Sequence, residues 1–141
     1  METKDITELE DIGRAHETFL ELRPHLTSRE VFVSQVLTQM KDGYRILGIW
    51  QGEQMVSGIG FRVLNTLYCG KMLYIDDLTT MSDYRGRGYA TLLLKEVIGR
   101  AKEMACAEVH LDTGFTRHAA HRVYLKSGFE LNCHHMTLRI K

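Results

Sequence analysis

The segment 83–90, which reads Asp-Tyr-Arg-Gly-Arg-Gly-Tyr-Ala, constrains the fold most, because it joins a strand-like run to a helix-like run. Residues 72–80 before it are rich in apolar, β-branched and aromatic side chains, as in a buried strand. After it, Leu93, Val97 and Ala101 recur at helical spacing. The pattern therefore predicts a strand, a tight turn and a helix.

The composition of this turn is typical of an anion-binding loop. Gly86 and Gly88 allow consecutive backbone N–H groups to point into one concavity. The following helix adds unpaired N–H groups and the positive end of its dipole, and Arg85 and Arg87 add charge. The turn lacks the Lys-Ser/Thr pair of a nucleotide-hydrolysing P-loop and the third glycine of the dinucleotide fingerprint. We therefore expect a different phosphate-bearing ligand.

The spacing Arg85-x-x-Gly88-x-Ala90 resembles the pyrophosphate-binding loop of the GCN5-related N-acetyltransferases (GNAT family). This resemblance implies that the loop holds the diphosphate of acetyl-coenzyme A (acetyl-CoA). The loop residues implied in cosubstrate binding are Arg85, Gly86, Arg87, Gly88, Tyr89, Ala90 and Thr91.

A second motif resembles the same family. Residues 120–129 follow the pattern Ala-x-x-Val-Tyr-x-x-x-Gly-Phe, similar to the family's helix with a catalytic tyrosine, here Tyr124, followed by Gly128-Phe129 and the last strands. The resemblance extends more weakly from Tyr44 to the C-terminus. It implies an α/β (α+β) fold with a mixed central sheet flanked by helices. Because only about five residues precede Ile6, we expect the family's first strand to be short or absent.

Periodicity predicts the remaining elements of a single domain spanning residues 1–141. Ser28 is the expected N-cap of the second helix, whose core face is predicted to include Val33, Val36, Leu37 and Met40. The predicted elements are helices at 6–22, 28–41 and 116–127, a hairpin of strands 44–50 and 54–64, strands at 72–80 and 108–112, and a closing strand or hairpin at 129–140.

Composition limits the partners and the compartment. Lysine plus arginine (18) equals aspartate plus glutamate (18), so no global charge favours nucleic acid or an anionic membrane. The start of the chain lacks a signal-peptide pattern and no run reaches transmembrane length, so we expect a cytoplasmic protein. Cys69, Cys106 and Cys133 fit neither a disulfide framework nor a paired-thiolate zinc site and are interpreted as small apolar residues. We expect no metal requirement.

The family reaction is attack of a neutral amine on the acetyl thioester. It needs a held thioester, an oxyanion donor, a route for the amine proton and an acid for the leaving sulfur. The resemblance implies that the backbone of Leu78, Thr79 and Thr80 pairs with the pantetheine arm and polarises the acetyl carbonyl. The resemblance makes Tyr124 the acid, since a phenol with an ordinary pKa of about 10 is still protonated at neutral pH and can donate its proton to the departing sulfur. The alternative is that Tyr124 only packs.

Asp76 and Asp77 are consecutive acids within an apolar strand. Their side chains should point to opposite faces unless a bulge intervenes. Residues 74–78 are similar to the corresponding strand of polyamine acetyltransferases, which implies a water-linked base, for which Asp76 is slightly preferred, or an anchor for a cationic substrate. The alternative is an exposed strand edge or hydrogen bonds to neighbouring loops.

Histidines are concentrated late in the chain. The run 117–125 resembles aminoalkylphosphonate N-acetyltransferases, which implies contact with an anionic part of a small substrate. Arg117 stands where many family members carry an asparagine near the cofactor, and it could serve coenzyme phosphate or substrate. Lys126 could pair with the ribose phosphate or be an ordinary surface lysine. The histidines of this region are His110, His118, His121, His134 and His135, of which His118 and His121 share a helix face.

Three functions remain open on this basis. The first is an acetyl-CoA-dependent N-acetyltransferase for the primary amine of a small molecule, with a cation, an anion or a zwitterion as substrate. The second is a protein lysine or N-terminal acetyltransferase, and the third is a non-catalytic coenzyme A binding module. We also expect a homodimer, because the apolar segment 131–140 offers a strand edge for a second copy.

Overall fold

A five-stranded mixed sheet organises the first of two units of the chain, in a computed structural model that describes residues 2–140. The strands lie in the order β1-β2-β3-β4-β5; the pairings from β1 to β4 are antiparallel, and β5 pairs parallel with β4. The elements of this unit, which ends at Leu111, are β1 (Thr3–Asp5), α1 (Leu9–Leu20), α2 (Arg29–Lys41), β2 (Arg45–Gln51), β3 (Gln54–Thr66), β4 (Gly70–Thr80), a 3-10 turn (Ser82–Tyr84), α3 (Tyr89–Glu103) and β5 (Glu108–Leu111). The mixed α/β architecture and the short first strand confirm the prediction.

Helix α2 begins where the sequence predicts and buries a slightly different face. The Ser28 hydroxyl accepts a hydrogen bond of 3.2 Å from the backbone N–H of Val31, as an N-cap should. Val36 is buried, but Leu37 is 41% exposed, so its assignment to the core face is wrong. Phe32 lies one turn before Val36 on the same face and is the residue that α2 buries with it.

Apolar side chains cover both faces of the sheet. Tyr44 and Ile46 of the β2 region pack in one cluster with Phe19 of α1 and Phe32 of α2. Because side chains alternate along a strand, Leu47 points to the opposite face, where α3 packs. The buried residues of α3 are Tyr89, Leu93, Leu94, Val97 and Ala101.

A β-bulge interrupts the pairing of β3 with β4. Gly60 lies opposite Asp77 and Phe61 lies opposite Ile75, so Asp76 is the extra residue of β4. The carbonyl of Asp76 accepts a 3.0 Å hydrogen bond from Arg23. The bulge therefore replaces the simple alternation that would send the two acids to opposite faces.

The second unit begins at Asp112 and contains α4 (His118–Lys126). The predicted closing strand or hairpin at 129–140 is wrong, because no strand is formed there within the described residues. Its alternating apolar side chains follow a strand pattern, but a strand also needs a hydrogen-bonded neighbour. Leu131, Met136, Leu138 and Ile140 are exposed. No helix within residues 2–140 is both long enough and apolar enough to cross a membrane.

Candidate active site

The loop between β4 and α3 has the backbone geometry of an anion cradle. Gly86 and Gly88 have φ angles of 75° and 85°, a left-handed conformation that other residues adopt at a cost. Gly88 is the N-cap of α3 and provides no side chain to cap its N–H groups. A Cβ atom at either glycine would have no atom within 4 Å, so the face of the loop that these positions present is open.

Both arginines of the loop are bound to nearby backbone carbonyls. Arg85 Nε donates a 3.0 Å hydrogen bond to the carbonyl of Thr80. Arg87 donates to the carbonyl of Asp83 at 3.1 Å, and its guanidinium lies 5.0 Å from the ring centroid of Tyr84. The Arg85 side chain remains 61% exposed. These contacts hold two positive charges close to the glycines while leaving them accessible to a ligand.

Glu21 links the end of α1 to this loop, and sequence reasoning missed it. Its carboxylate accepts hydrogen bonds of 3.2 Å from the backbone N–H of Ser82 and a further one from the Ser82 hydroxyl. Arg85 lies 3.8 Å from the same carboxylate. No local pattern could reveal this contact, because Glu21 and Ser82 are 61 residues apart.

The end of β4 is paired on one edge only. Leu78, Thr79 and Thr80 lie opposite β3, with Ser57 also donating to the carbonyl of Thr79 at 3.0 Å. On the other edge the pairing with β5 ends at Ile75, and no described residue extends it as a strand. An unpaired strand edge can accept an extended ligand.

The two strand acids are part of one polar cluster beside Tyr44. The Tyr44 hydroxyl donates a 2.7 Å hydrogen bond to Asp77, which also pairs with Arg23 at 2.8 Å. Asp76 pairs with Arg62 at 2.9 Å, and the Arg62 guanidinium lies 5.4 Å from the centroid of the Tyr44 ring. The bulge thus brings the two acids to the same cluster. Tyr44, Arg23 and Arg62 were not predicted to belong to the site.

Burial raises the pKa values of two residues in this cluster, Tyr44 and Asp76. It raises the pKa of Tyr44 well above its ordinary value, and the negative charge of Asp77 raises it further. Burial also raises the pKa of Asp76, although the hydrogen bond from Arg62 opposes this effect. The Tyr44 phenol therefore remains a hydrogen-bond donor to Asp77 at neutral pH.

A cavity of about 440 Å³ lies beside the cluster. Its apolar wall includes Phe19 and Phe32, and its polar wall combines Asp77 with Arg23 and His25. The lining includes Asp77 but not Asp76. The remaining lining residues are Leu26, Gln35, Val36, Gln39, Tyr44 and Ile46. This size and mixture of apolar and charged groups are typical of a small-molecule site.

Tyr124 is the one buried residue of α4, at 8% exposure. Its ring contacts that of Phe129 edge-on, with centroids 5.9 Å apart. Burial raises the pKa of Tyr124, and the positive charge of Arg117 lowers it to a smaller extent. The predicted acid is therefore protonated at neutral pH. The contact with Phe129 fits the alternative, in which Tyr124 only packs.

The remaining predicted residues of the second unit are at its surface. Arg117 is the N-cap residue of α4 and Lys126 is its last residue; both are exposed. His118 and His121 share a helix face as predicted, with ring centroids 5.9 Å apart. His121 is 2.7 Å from the carbonyl of Gly114, so its ring is fixed by the preceding loop.

The fold and the loop define a class of protein: a mixed sheet with a glycine-rich turn between a strand and the start of a helix. Residues 8–129 match the family model of the Acetyltransferase (GNAT) family. The chain belongs to this family, and its activity class is acetyl transfer.

Three similar proteins illustrate the relationship. The chain is 26% identical over 129 residues to the uncharacterized N-acetyltransferase YhdJ of Bacillus subtilis (strain 168), covering 91% of each chain. The ribosomal-protein-alanine N-acetyltransferase of Brucella melitensis biovar Abortus 2308 has a TM-score of 0.84 at 15% identity, with 99% of this chain and 100% of that chain covered. The aminoglycoside N-acetyltransferase AAC(6')-Iy in complex with CoA has a TM-score of 0.83 at 13% identity, with 99% and 94% covered.

Proposed function

We propose that this chain is an acetyl-CoA-dependent N-acetyltransferase that acetylates the primary amine of a small molecule. The observation that carries the proposal is the cavity of about 440 Å³ with Asp77 in its wall. A carboxylate there attracts an ammonium group, and the hydrogen bonds that it accepts from Tyr44 and Arg23 fix its position. A cavity of this size encloses a small molecule more readily than a folded protein surface.

The loop and the β4 edge suit the cosubstrate. The N–H groups around Gly86 and Gly88 would hold the diphosphate, with Arg85 and Arg87 providing charge. The open space in front of both glycines supports this fit. The edge at residues 78–80 would pair with the extended pantetheine arm. When bound, acetyl-CoA supplies an acetyl group activated as a thioester.

Asp77 is proposed to bind the substrate ammonium. A carboxylate has about four lone-pair directions, so Asp77 can accept a further hydrogen bond beside those from Tyr44 and Arg23. Loss of the amine proton to a water bound at a strand carboxylate would then give the neutral nucleophile. Asp76 remains the alternative base, and its ion pair with Arg62 would then have to loosen during turnover.

Tyr124 is proposed as the acid that protonates the leaving thiolate. Burial raises the pKa of Tyr124, so the phenol carries a proton at neutral pH that it can donate as the sulfur departs. Arg117 and Lys126 are proposed to contact the phosphates of the coenzyme, a role that their exposure permits. The matched family segment, residues 8–129, extends from the first unit into the second, which supports the proposal of one acetyltransferase domain across residues 1–141.

The charges of the cavity favour an amino-acid-like zwitterion. Arg23 and His25 line the same cavity as Asp77, so an anionic group and an ammonium group could be bound together. In this proposal the cavity binds the anionic group of the substrate. Residues 117–125, which resemble aminoalkylphosphonate N-acetyltransferases, are not required for this contact. A protein lysine or N-terminus is the second candidate acceptor.

Assembly as a homodimer is also proposed. Leu131, Met136, Leu138 and Ile140 expose 78 to 91% of their area, and a second copy would bury them.

A panel of small amines assayed for thiol release from acetyl-CoA tests the function. Zwitterionic amines, which carry one anionic group besides the ammonium group, should be acetylated faster than simple cationic amines or lysine peptides. If no small amine stimulates thiol release and a lysine peptide or a protein is acetylated instead, the second candidate is favoured.

A further inference from the structure

Three potential metal ligands converge at the end of the sheet formed by the β3–β4 turn and the start of β5. Cys69 lies in the turn, and Glu108 and His110 lie two residues apart in β5, on the same face of that strand. One ligand atom from each residue lies within 4.8 Å of both others. Within residues 2–140, this is the only group of three or more His, Cys, Asp or Glu residues that meets this criterion.

Neighbouring residues position these ligands. His110 Nε2 lies 2.7 Å from a carboxylate oxygen of Glu108, and the His110 ring contacts Tyr68 edge-on at a centroid distance of 5.8 Å. The Thr66 hydroxyl accepts a 3.2 Å hydrogen bond from the backbone N–H of Cys69 and lies 3.7 Å from its sulfur. Such outer contacts orient the ligands of known metal sites.

We propose that Cys69, Glu108 and His110 bind a zinc ion. A thiolate, an imidazole and a carboxylate together form a donor set that zinc accepts, with the fourth tetrahedral position left for water. Zinc–ligand bonds of about 2.0–2.3 Å place ligand atoms roughly 3.3–3.8 Å apart, so small side-chain rotations bring these atoms into place. The ion takes the place of the contact between the His110 imidazole and the Glu108 carboxylate, and the Cys69 thiol releases its proton on binding.

The site has a structural consequence. Strand β5 has four residues and, among the residues that the structure describes, pairs with β4 alone. A zinc ion would join β5 to the β3–β4 turn and so stabilise this edge of the sheet. The proposal does not depend on the identity of the substrate.

Metal titration of the chelator-treated full chain tests the proposal. Zinc affinity is measured by competition with a chromogenic chelator, and cobalt is used as a spectroscopic probe of thiolate ligation. Cys69→Ser and His110→Ala should each weaken zinc binding by at least ~100-fold, beyond the 10–100-fold typical of outer-shell changes. Cys106→Ser is the matched control, because Cys106 is also half-buried in the same unit. It should bind zinc and show the thiolate-to-cobalt band like the wild type.

Cys133→Ser identifies the rival site, since Cys133 is followed by His134 and His135. Retained binding in this variant, together with a zinc-dependent rise in melting temperature that Cys69→Ser lacks, supports the proposal. Glu108→Gln, which conserves shape, should also weaken binding and guards against misfolding of the other variants. Wild-type affinity no greater than that of Cys69→Ser, or loss of binding in Cys133→Ser alone, would overturn the proposal.

Discussion

The Tyr44 hydroxyl, just before β2, donates a 2.7 Å hydrogen bond to Oδ2 of Asp77 in β4. Both residues line the same cavity. Because Tyr44 is buried and faces a carboxylate, its pKa is raised well above 10.0. This pair fixes one oxygen of Asp77 and leaves the carboxylate available to a ligand.

Alkaline stability should depend on Tyr44. A folded-state pKa above the unfolded value means that the phenol stabilises the fold fully below about pH 10 and that this contribution is lost as pH rises through the folded pKa. Tyr44→Phe should cost about 1.5–3 kcal/mol at neutral pH, through loss of a hydrogen bond to a charged group, and should flatten the decline of stability above about pH 10. Denaturant melts across this pH range measure both effects. Tyr68→Phe, at an exposed ring, is the control and should change neither.

Acetyl-CoA binding should depend on the open face of Gly88. In wild type, acetyl-CoA should raise the melting temperature by mass action. Gly88→Val should abolish this shift by crowding the N–H cradle. Gly70→Val introduces a side chain at a similar φ of 82° far from the cradle in sequence, and it should lower stability comparably while retaining the shift. A preserved shift in Gly88→Val would refute the loop assignment.

The role of Tyr124 is separable from its packing. Tyr124→Phe removes one hydroxyl and retains the ring contact with Phe129. Turnover should fall by ~10²–10⁴-fold, the usual loss for a general acid, while coenzyme binding and melting temperature change little. Steady-state kinetics and thermal melts measure these quantities. Near-wild-type turnover with a lowered melting temperature would instead assign Tyr124 to packing.

The dimer proposal predicts a concentration-dependent mass. Light scattering at micromolar concentration should give twice the chain mass of 16.2 kDa. Replacing exposed Met136 and Leu138 by glutamate should produce monomers, because charge opposes burial of this segment. Leu67→Glu, equally exposed but in the β3–β4 turn, is the control and should remain dimeric. A wild-type monomer would exclude the proposal.

Sequence reasoning succeeded where the determining contacts are local. The Ser28 cap and the strand–turn–helix around Gly88 depend on residues within one or two turns, and both are present. The bulge at Asp76 leaves no mark in an alternating pattern, and the pairing of Tyr44 with Asp77 joins residues 33 positions apart. The strand predicted at 129–140 is absent from the described residues because it also needed a distant contact. Alternating apolar residues can give a strand one apolar face, but they do not provide the neighbouring strand to which it must hydrogen-bond.

The central claim is that the cavity beside Asp77 binds the substrate amine. A comparison of the steady-state kinetics of Asp77→Asn and Asp76→Asn tests this claim most directly. The two acids are adjacent and each is bound to an arginine, but Asp77 alone lines the cavity. With the best amine of the panel, Asp77→Asn should lower kcat/KM by about 10–100-fold, mainly through KM, as expected for a lost charged hydrogen bond. Asp76→Asn should leave KM for the amine close to that of the wild type, whatever its effect on kcat. An unchanged KM in Asp77→Asn, or a larger rise in Asp76→Asn, would contradict the account.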